Sequence, residues 1–313
     1  MDIPKKPKQD TTAQAKIYRL SFVVRVTVFA ALLMLLPAAH ATLGLVQPEL
    51  NKPQTPFKII GDVYYVGTND LGIYLITTSK GSILLDSGFA ETVPQVRANI
   101  TALGFKLQDV KILLTSQTHY DHVGGMAEMK RLTHARLEAT GAGAEQMAAG
   151  GRDDYGFYER FMYEPVQTDR VLADGDQVEL GGITLTAHLT PGHTKGCTTW
   201  TMTVEDDGKP YHVVFLCGVT VPGYKLVDNP GYPDIVSDYE RSFAVLRGLP
   251  CDVFLGAHGQ YFGLQAKLVR LHAHAATNPF IDPAGYRAYL DQSERDFLGL
   301  VAQQRSAAAA APH

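Results

Sequence analysis

The chain has 313 residues, 45% of them hydrophobic and 19% charged, with three cysteines. Those proportions exclude a disordered, collagen-like or multi-span membrane protein, and the length suits one large domain or two small ones that bury a core without disulfide stapling. The formal net charge of −4 divides into +4 over the first 41 residues and −8 over the rest, and a body that acidic argues against nucleic acid as a partner.

Lys5, Lys6, Lys8, Lys16, Arg19 and Arg25 precede an uncharged apolar run over 26–37, followed by Ala38-Ala39-His40-Ala41. This is the order of a secretory signal. The competing reading is an uncleaved anchor, but about 12 to 14 apolar residues fall short of the ~20 that span a bilayer. Cleavage after Ala41, export to the oxidising periplasm and no stable membrane anchoring are expected.

From Phe57 the sequence alternates strand-like pieces and turns: 58–66, then 72–78, a turn at Ser79-Lys80-Gly81, and 82–86, the last two read as a hairpin. A helix is expected over 91–103, where Val93, Val96, Ile100 and Leu103 share a face. A buried strand over 111–115, a helix over 123–132, a strand over 136–140 and a helix over 144–149 follow. The aromatic stretch 151–169 reads as a loop or short helix over a surface. The second half offers strands at 177–180, 183–189, 198–204 and 212–216, then a Gly/Pro-rich loop over 218–233. A helix over 238–249, a strand over 252–255 and a terminal helix within 265–300 come next, and the Ala-rich tail 306–313 is expected to fray. No low-complexity linker divides residues 42–313, which read as one domain of two β-then-α halves with helices outside packed sheets.

Of eleven histidines, His40, His134, His188, His212, His272, His274 and His313 read as signal, tail, surface or satisfied core positions. Four others stand at strand ends beside turn residues. Gln117-Thr118-His119-Tyr120-Asp121-His122-Val123-Gly124-Gly125 follows the strand 111–115; Pro191-Gly192-His193-Thr194 and Gly256-Ala257-His258-Gly259 each follow another. Strand-end loops converge side chains on one point, and imidazoles with a carboxylate are ligands that zinc accepts. His119, Asp121, His122, His193 and His258 are the candidate set.

On these motifs the chain resembles the metallo-β-lactamase superfamily and, within it, the subclass B3 β-lactamases. The resemblance also takes in Leu84-Leu85-Asp86-Ser87-Gly88, Gly196-Cys197-Thr198-Thr199-Trp200, Pro222-Gly223-Tyr224-Lys225-Leu226 and Leu249-Pro250-Cys251-Asp252-Val253, in order along nearly all of residues 42–313. It implies an αββα sandwich of class α/β with one or two zinc ions at a rim. The first site would hold Gln117, His119 and His193, the second Asp121, His122 and His258, and Asp86 would support the site from beneath. The family usually has His where this chain has Gln117. An amide oxygen is the weaker zinc ligand, so the second site is expected to fill first and more tightly, with Gln117 either a poor ligand or a positioning group.

The resemblance further implies zinc-dependent opening of the β-lactam amide of penicillins, cephalosporins or carbapenems by metal-bound hydroxide, with His119, His193 and Asp121 catalytic, and hence antibiotic resistance. Many dinuclear relatives carry a bridging Asp where this chain reads Phe215-Leu216-Cys217-Gly218-Val219-Thr220, and its absence favours a β-lactamase over a glyoxalase or lactonase. Subclass B3 serines near Gly218 and Thr220 hold the substrate carboxylate; here Thr220 either keeps that role or is a loop residue. Tyr155, Phe157 and Tyr158 form either a flexible wall or core packing. Some relatives link the positions of Cys197 and Cys217, which implies a disulfide there with Cys251 buried and free; three buried thiols is the other reading. A small-molecule β-lactam substrate and a monomeric state are expected. Two rivals stand beside this: a zinc hydrolase of another ester, thioester or lactone, and a binding protein that lost catalysis at Gln117.

Overall fold

The computed structural model describes residues 1–2, 47–152 and 154–310. The expected signal segment lies outside the described residues except for its first two, and the side chains of Tyr158 and Glu159 lie outside them as well. Among the described residues no helix is long and apolar enough to cross a membrane.

The first sheet has seven strands in sequential order: β1 (Phe57–Ile60), β2 (Val63–Tyr65), β3 (Tyr74–Thr78), β4 (Gly81–Leu85), β5 (Val110–Leu114), β6 (Arg136–Thr140) and β7 (Arg170–Leu172). The first four pair antiparallel; β4 to β7 run parallel. Parallel neighbours need crossovers, supplied by the helices α1 (Val93–Ala102), α2 (Tyr120–Val123), α3 (Met126–Thr133) and α4 (Gly141–Ala148). The second sheet has the order β12-β11-β10-β9-β8, with β8 (Gln177–Leu180), β9 (Ile183–Leu189), β10 (Thr198–Asp206), β11 (Lys209–Leu216) and β12 (Val253–Gly256). Its pairs are antiparallel except β11 with β12. The crossover there contains α5 (Ile235–Gly248); α6 (Leu264–His272) and α7 (Pro283–Ala310) complete the chain.

Period-two alternation builds the layers. Ile83, Leu85, Ile112 and Leu114 face a core shared with Leu185, Ala187, Trp200 and Phe215 of the second sheet. Leu84 and Leu113 between them face the other way, onto Val93, Val96 and Ile100 of α1 and Met126 and Met129 of α3. Phe243 and Leu246 of α5 and Phe297 and Val301 of α7 belong to the core on the second sheet's side. The architecture is a mixed α/β two-sheet fold with helices outside, as expected.

Several boundaries differ from expectation. The stretch 58–66 is a hairpin, β1 and β2, because Gly61 at φ +49° turns the chain where pattern alone ran on. The terminal helix is two helices, and α7 extends to Ala310, so the frayed tail does not begin at 306; its alanines have the highest helix propensity. Residues 311–313 lie outside the described residues.

Candidate metal centre

Every site motif lies at the end of a strand or in the turn that follows. After β5, the Thr115 hydroxyl donates to Gln117 O at 2.6 Å, and the indole N–H of buried Trp200 donates to Thr115 O at 3.0 Å, pinning the loop to both sheets. Asp86 ends β4 with φ +65°, a left-handed conformation that Asp tolerates. Its carboxylate accepts the backbone N–H and hydroxyl of Ser116 at 2.7 and 2.5 Å and lies 3.5 Å from His122 Nδ1.

His119 is the N-cap residue of the short helix α2, and the next turn turns Asp121 and His122 inward. Ligand atoms of Asp121, His122 and His258 lie within 4.8 Å of one another. His122 Nε2 is 3.3 Å from Asp121 Oδ2 and 3.2 Å from His258 Nε2. His119 and His193 form a second pair, their rings 4.8 Å apart. Gln117 is fully buried with neither Oε1 nor Nε2 hydrogen-bonded among the described residues. A buried amide left unpaired is costly, and a cation would satisfy its oxygen.

Each imidazole is tethered through one nitrogen. His258 Nδ1 sits 2.7 Å from Asp70 Oδ2, His193 Nδ1 donates to Thr220 O at 2.8 Å, His122 Nδ1 faces Asp86, and His119 Nε2 lies 3.2 Å from Asp154 Oδ2. An imidazole so held turns its other nitrogen toward the group, the arrangement of metal-ligating histidines. The residues therefore fit a metal ion. Burial opposes charge on His122, but Asp121 and Asp86 overcome it and raise its pKa to about 10. Burial would raise the Asp121 carboxyl; the imidazoles of His122, His258 and His119 instead hold it far below the carboxylate range. Burial, with His119 beside it, lowers His193 to about 3, which keeps this imidazole neutral.

Thr220 reaches the site chiefly through its carbonyl, which accepts from His193 and from the Tyr239 hydroxyl at 2.7 Å. Its Oγ1 is 3.3 Å from His193 Nδ1. Within the aromatic stretch Tyr155 is core, its hydroxyl donating to His193 O at 2.9 Å, whereas Phe157 packs edge-on against His119 at 5.0 Å. Cys197 and Cys217 form a disulfide with Cα atoms 5.8 Å apart, tying the turn after His193 to the end of β11. Cys251 is free, but half-buried rather than buried, because it precedes β12 near the surface. Sequence reasoning missed Asp70, Asp154 and Tyr224, whose hydroxyl lies 3.3 Å from His119 Nε2. Only the Pro-Gly-Tyr-Lys-Leu motif signalled any of them.

A model of the metallo-beta-lactamase superfamily matches residues 73–203. The native FEZ-1 metallo-beta-lactamase from Legionella gormanii is 44% identical, with a TM-score of 0.80 over 82% of this chain and 98% of that one. BJP-1, a subclass B3 metallo-beta-lactamase of Bradyrhizobium japonicum, is 39% identical, with a TM-score of 0.78 over 82% and 97%. Curated relatives are more distant. A probable metallo-hydrolase of Burkholderia pseudomallei is 30% identical over 35% of this chain, which spans only 36% of that protein's length. A human acyl-coenzyme A thioesterase is 28% identical over 68% of this chain and 81% of its own. With identity above 40% along nearly the whole of a solved relative, and the motif residues gathered at one rim of the same fold, the chain belongs to the metallo-beta-lactamase superfamily.

Proposed function

We propose that the protein is a zinc-dependent β-lactamase that opens the β-lactam amide of antibiotics and so confers resistance. The observation that carries this is the Asp121–His122–His258 group together with the His119–His193 pair, each of the four imidazoles held through one nitrogen by a carboxylate or carbonyl. In this reading Asp121, His122 and His258 hold one zinc and His119, His193 and Gln117 the other, with one or two ions bound. Zinc supplies Lewis acidity and lowers the pKa of a bound water to about 7. The chain's residues do the remainder. Asp121, held ionised by its imidazole neighbours, orients the attacking water and accepts a hydrogen bond from it. Asp70, Asp86 and the Thr220 carbonyl fix the planes of His258, His122 and His193. Phe157 covers His119 and excludes bulk water from that side. In this reading Thr220 Oγ1 would meet a substrate carboxylate.

Gln117 makes the His119–His193 group the weaker of the two. Zinc titration that found two equally tight sites would falsify this ordering. The body over 42–313 acts as one catalytic domain, working in the periplasm as a monomer; the basic, apolar and small-residue pattern over 1–41 supports export.

The deciding experiment is carbapenem hydrolysis by the purified mature chain, as isolated, after chelation, and after zinc is returned. Turnover lost with chelator and regained with zinc is expected. The similarity to a thioesterase favours a second reading, hydrolysis of a thioester or another ester by the same residues. Zinc-loaded protein inert to every β-lactam class but active on acyl-coenzyme A would favour it.

A further inference from the structure

Asp154 formed no part of the site read from sequence, yet its carboxylate is 6% exposed and gathers four partners. Oδ1 accepts the backbone N–H groups of Gly156 and Phe157 at 2.8 and 2.6 Å, closing a tight turn at the start of the aromatic stretch. Oδ2 accepts from Gln146 Nε2 at 3.0 Å and lies 3.2 Å from His119 Nε2. Gln146 is held in turn by the hydroxyl of Thr118, which donates to its Oε1 at 2.5 Å and adjoins His119 in the chain. The turn that Oδ1 closes presents Phe157, whose ring meets the same imidazole at 5.0 Å. One carboxylate therefore joins a surface loop to a ring of the candidate metal centre.

The chemistry of that joint is directional. A carboxylate can only accept at His119 Nε2, so a ring proton is held on that side and Nδ1 is the nitrogen left to face a metal. We infer that Asp154 is a positioning residue that couples the aromatic segment 154–161 to His119. With the turn seated, the tautomer and plane of His119 suit a metal; with the turn open, the imidazole loses its acceptor and its Phe157 packing together. The inference rests on the reading of His119 and His193 as a metal group.

Asp154→Asn is the informative variant, since its Oδ1 still serves Gly156 and Phe157 while an amide N–H replaces the acceptor facing His119. Gln146→Ala removes one support of the carboxylate and leaves the acid in place. Both would be compared with wild type by zinc titration against a chromophoric chelator and by hydrogen–deuterium exchange over 154–161, with and without zinc. In wild type, filling the weaker site slows exchange in this segment. In Asp154→Asn the weaker zinc affinity falls by about tenfold or more, the tighter one is unchanged, and the slowing is lost; Gln146→Ala shifts the same quantities less. An unchanged weaker site, an equal loss at both sites, or zinc-induced slowing that survives in Asp154→Asn would each overturn the coupling. Wild type that binds no second zinc would instead fail the metal reading of His119 and His193, and the coupling would fall with it.

Discussion

His122 Nε2 and His258 Nε2 lie 3.2 Å apart although 136 positions separate them in the chain. Two imidazole nitrogens approach so closely when a proton or a cation lies between them. The carboxylates of Asp121 and Asp86 raise the His122 pKa to about 10 against the effect of burial, so a proton on His122 would fill that place without metal.

Zinc must displace that proton, because only neutral imidazole is a ligand. Zinc binding at pH 7 should therefore release about one proton from this group, and the apparent affinity of the Asp121–His122–His258 site should rise about tenfold per pH unit up to pH ~10. Calorimetry in buffers of different ionisation enthalpy reads the proton directly. A zinc enthalpy independent of the buffer would contradict the assignment.

Asp70 supports the same group from the opposite side. Its Oδ2 sits 2.7 Å from His258 Nδ1 and its Oδ1 accepts the Gln260 N–H at 3.0 Å, so one carboxylate fixes both the ring and the turn after it. Asp70→Asn should weaken zinc at this site by about 10- to 100-fold, the range for lost outer partners of a ligating histidine. Zinc content after dialysis would show it, and full retention would exclude the role.

The motifs were legible because ligands sit at strand ends and each strand announces itself by alternation: Leu84 to one core, Leu85 to the other, then Asp86. The tethers were not. Asp70 meets His258 across 188 positions and Asp154 meets His119 from an irregular segment, so neither partnership has a local pattern. Gln117 was legible only as a departure, and its buried, unpaired amide appears once the loop is folded. The β1–β2 turn hangs on the single glycine Gly61, which alternation runs past, and the helix up to Ala310 on the propensity of its alanines, which an Ala-rich composition at a chain end does not reveal.

The disulfide closes a loop of 20 residues that contains all of β10. Chain-entropy arguments assign such a loop about 3 kcal/mol. Cys197→Ala/Cys217→Ala should lower the unfolding free energy by about that amount in urea titrations, and the unfolded, unreduced wild type should titrate one thiol, that of Cys251. Three thiols would remove the bridge.

Thr220 offers a clean separation of metal from substrate. Its carbonyl, not its hydroxyl, accepts the shorter bond from His193 Nδ1, 2.8 against 3.3 Å, and the carbonyl also receives the Tyr239 hydroxyl. Substitution by Ala leaves that carbonyl in place, so zinc affinity at the His119–His193 group should change less than about twofold. What Ala removes is Oγ1, half-buried between His193 Nδ1 at 3.3 Å and the Tyr261 hydroxyl at 3.5 Å, the group that would meet a substrate carboxylate under the proposed function. An interaction made equally in ground and transition states appears in KM and not in kcat. Thr220→Ala should therefore raise KM for a penicillin by roughly three- to tenfold, the cost of about one neutral hydrogen bond, with kcat nearly constant. Unchanged KM would make Thr220 a support for His193 alone, and a fall in kcat with loss of zinc would show that the hydroxyl, rather than the carbonyl, holds the ring.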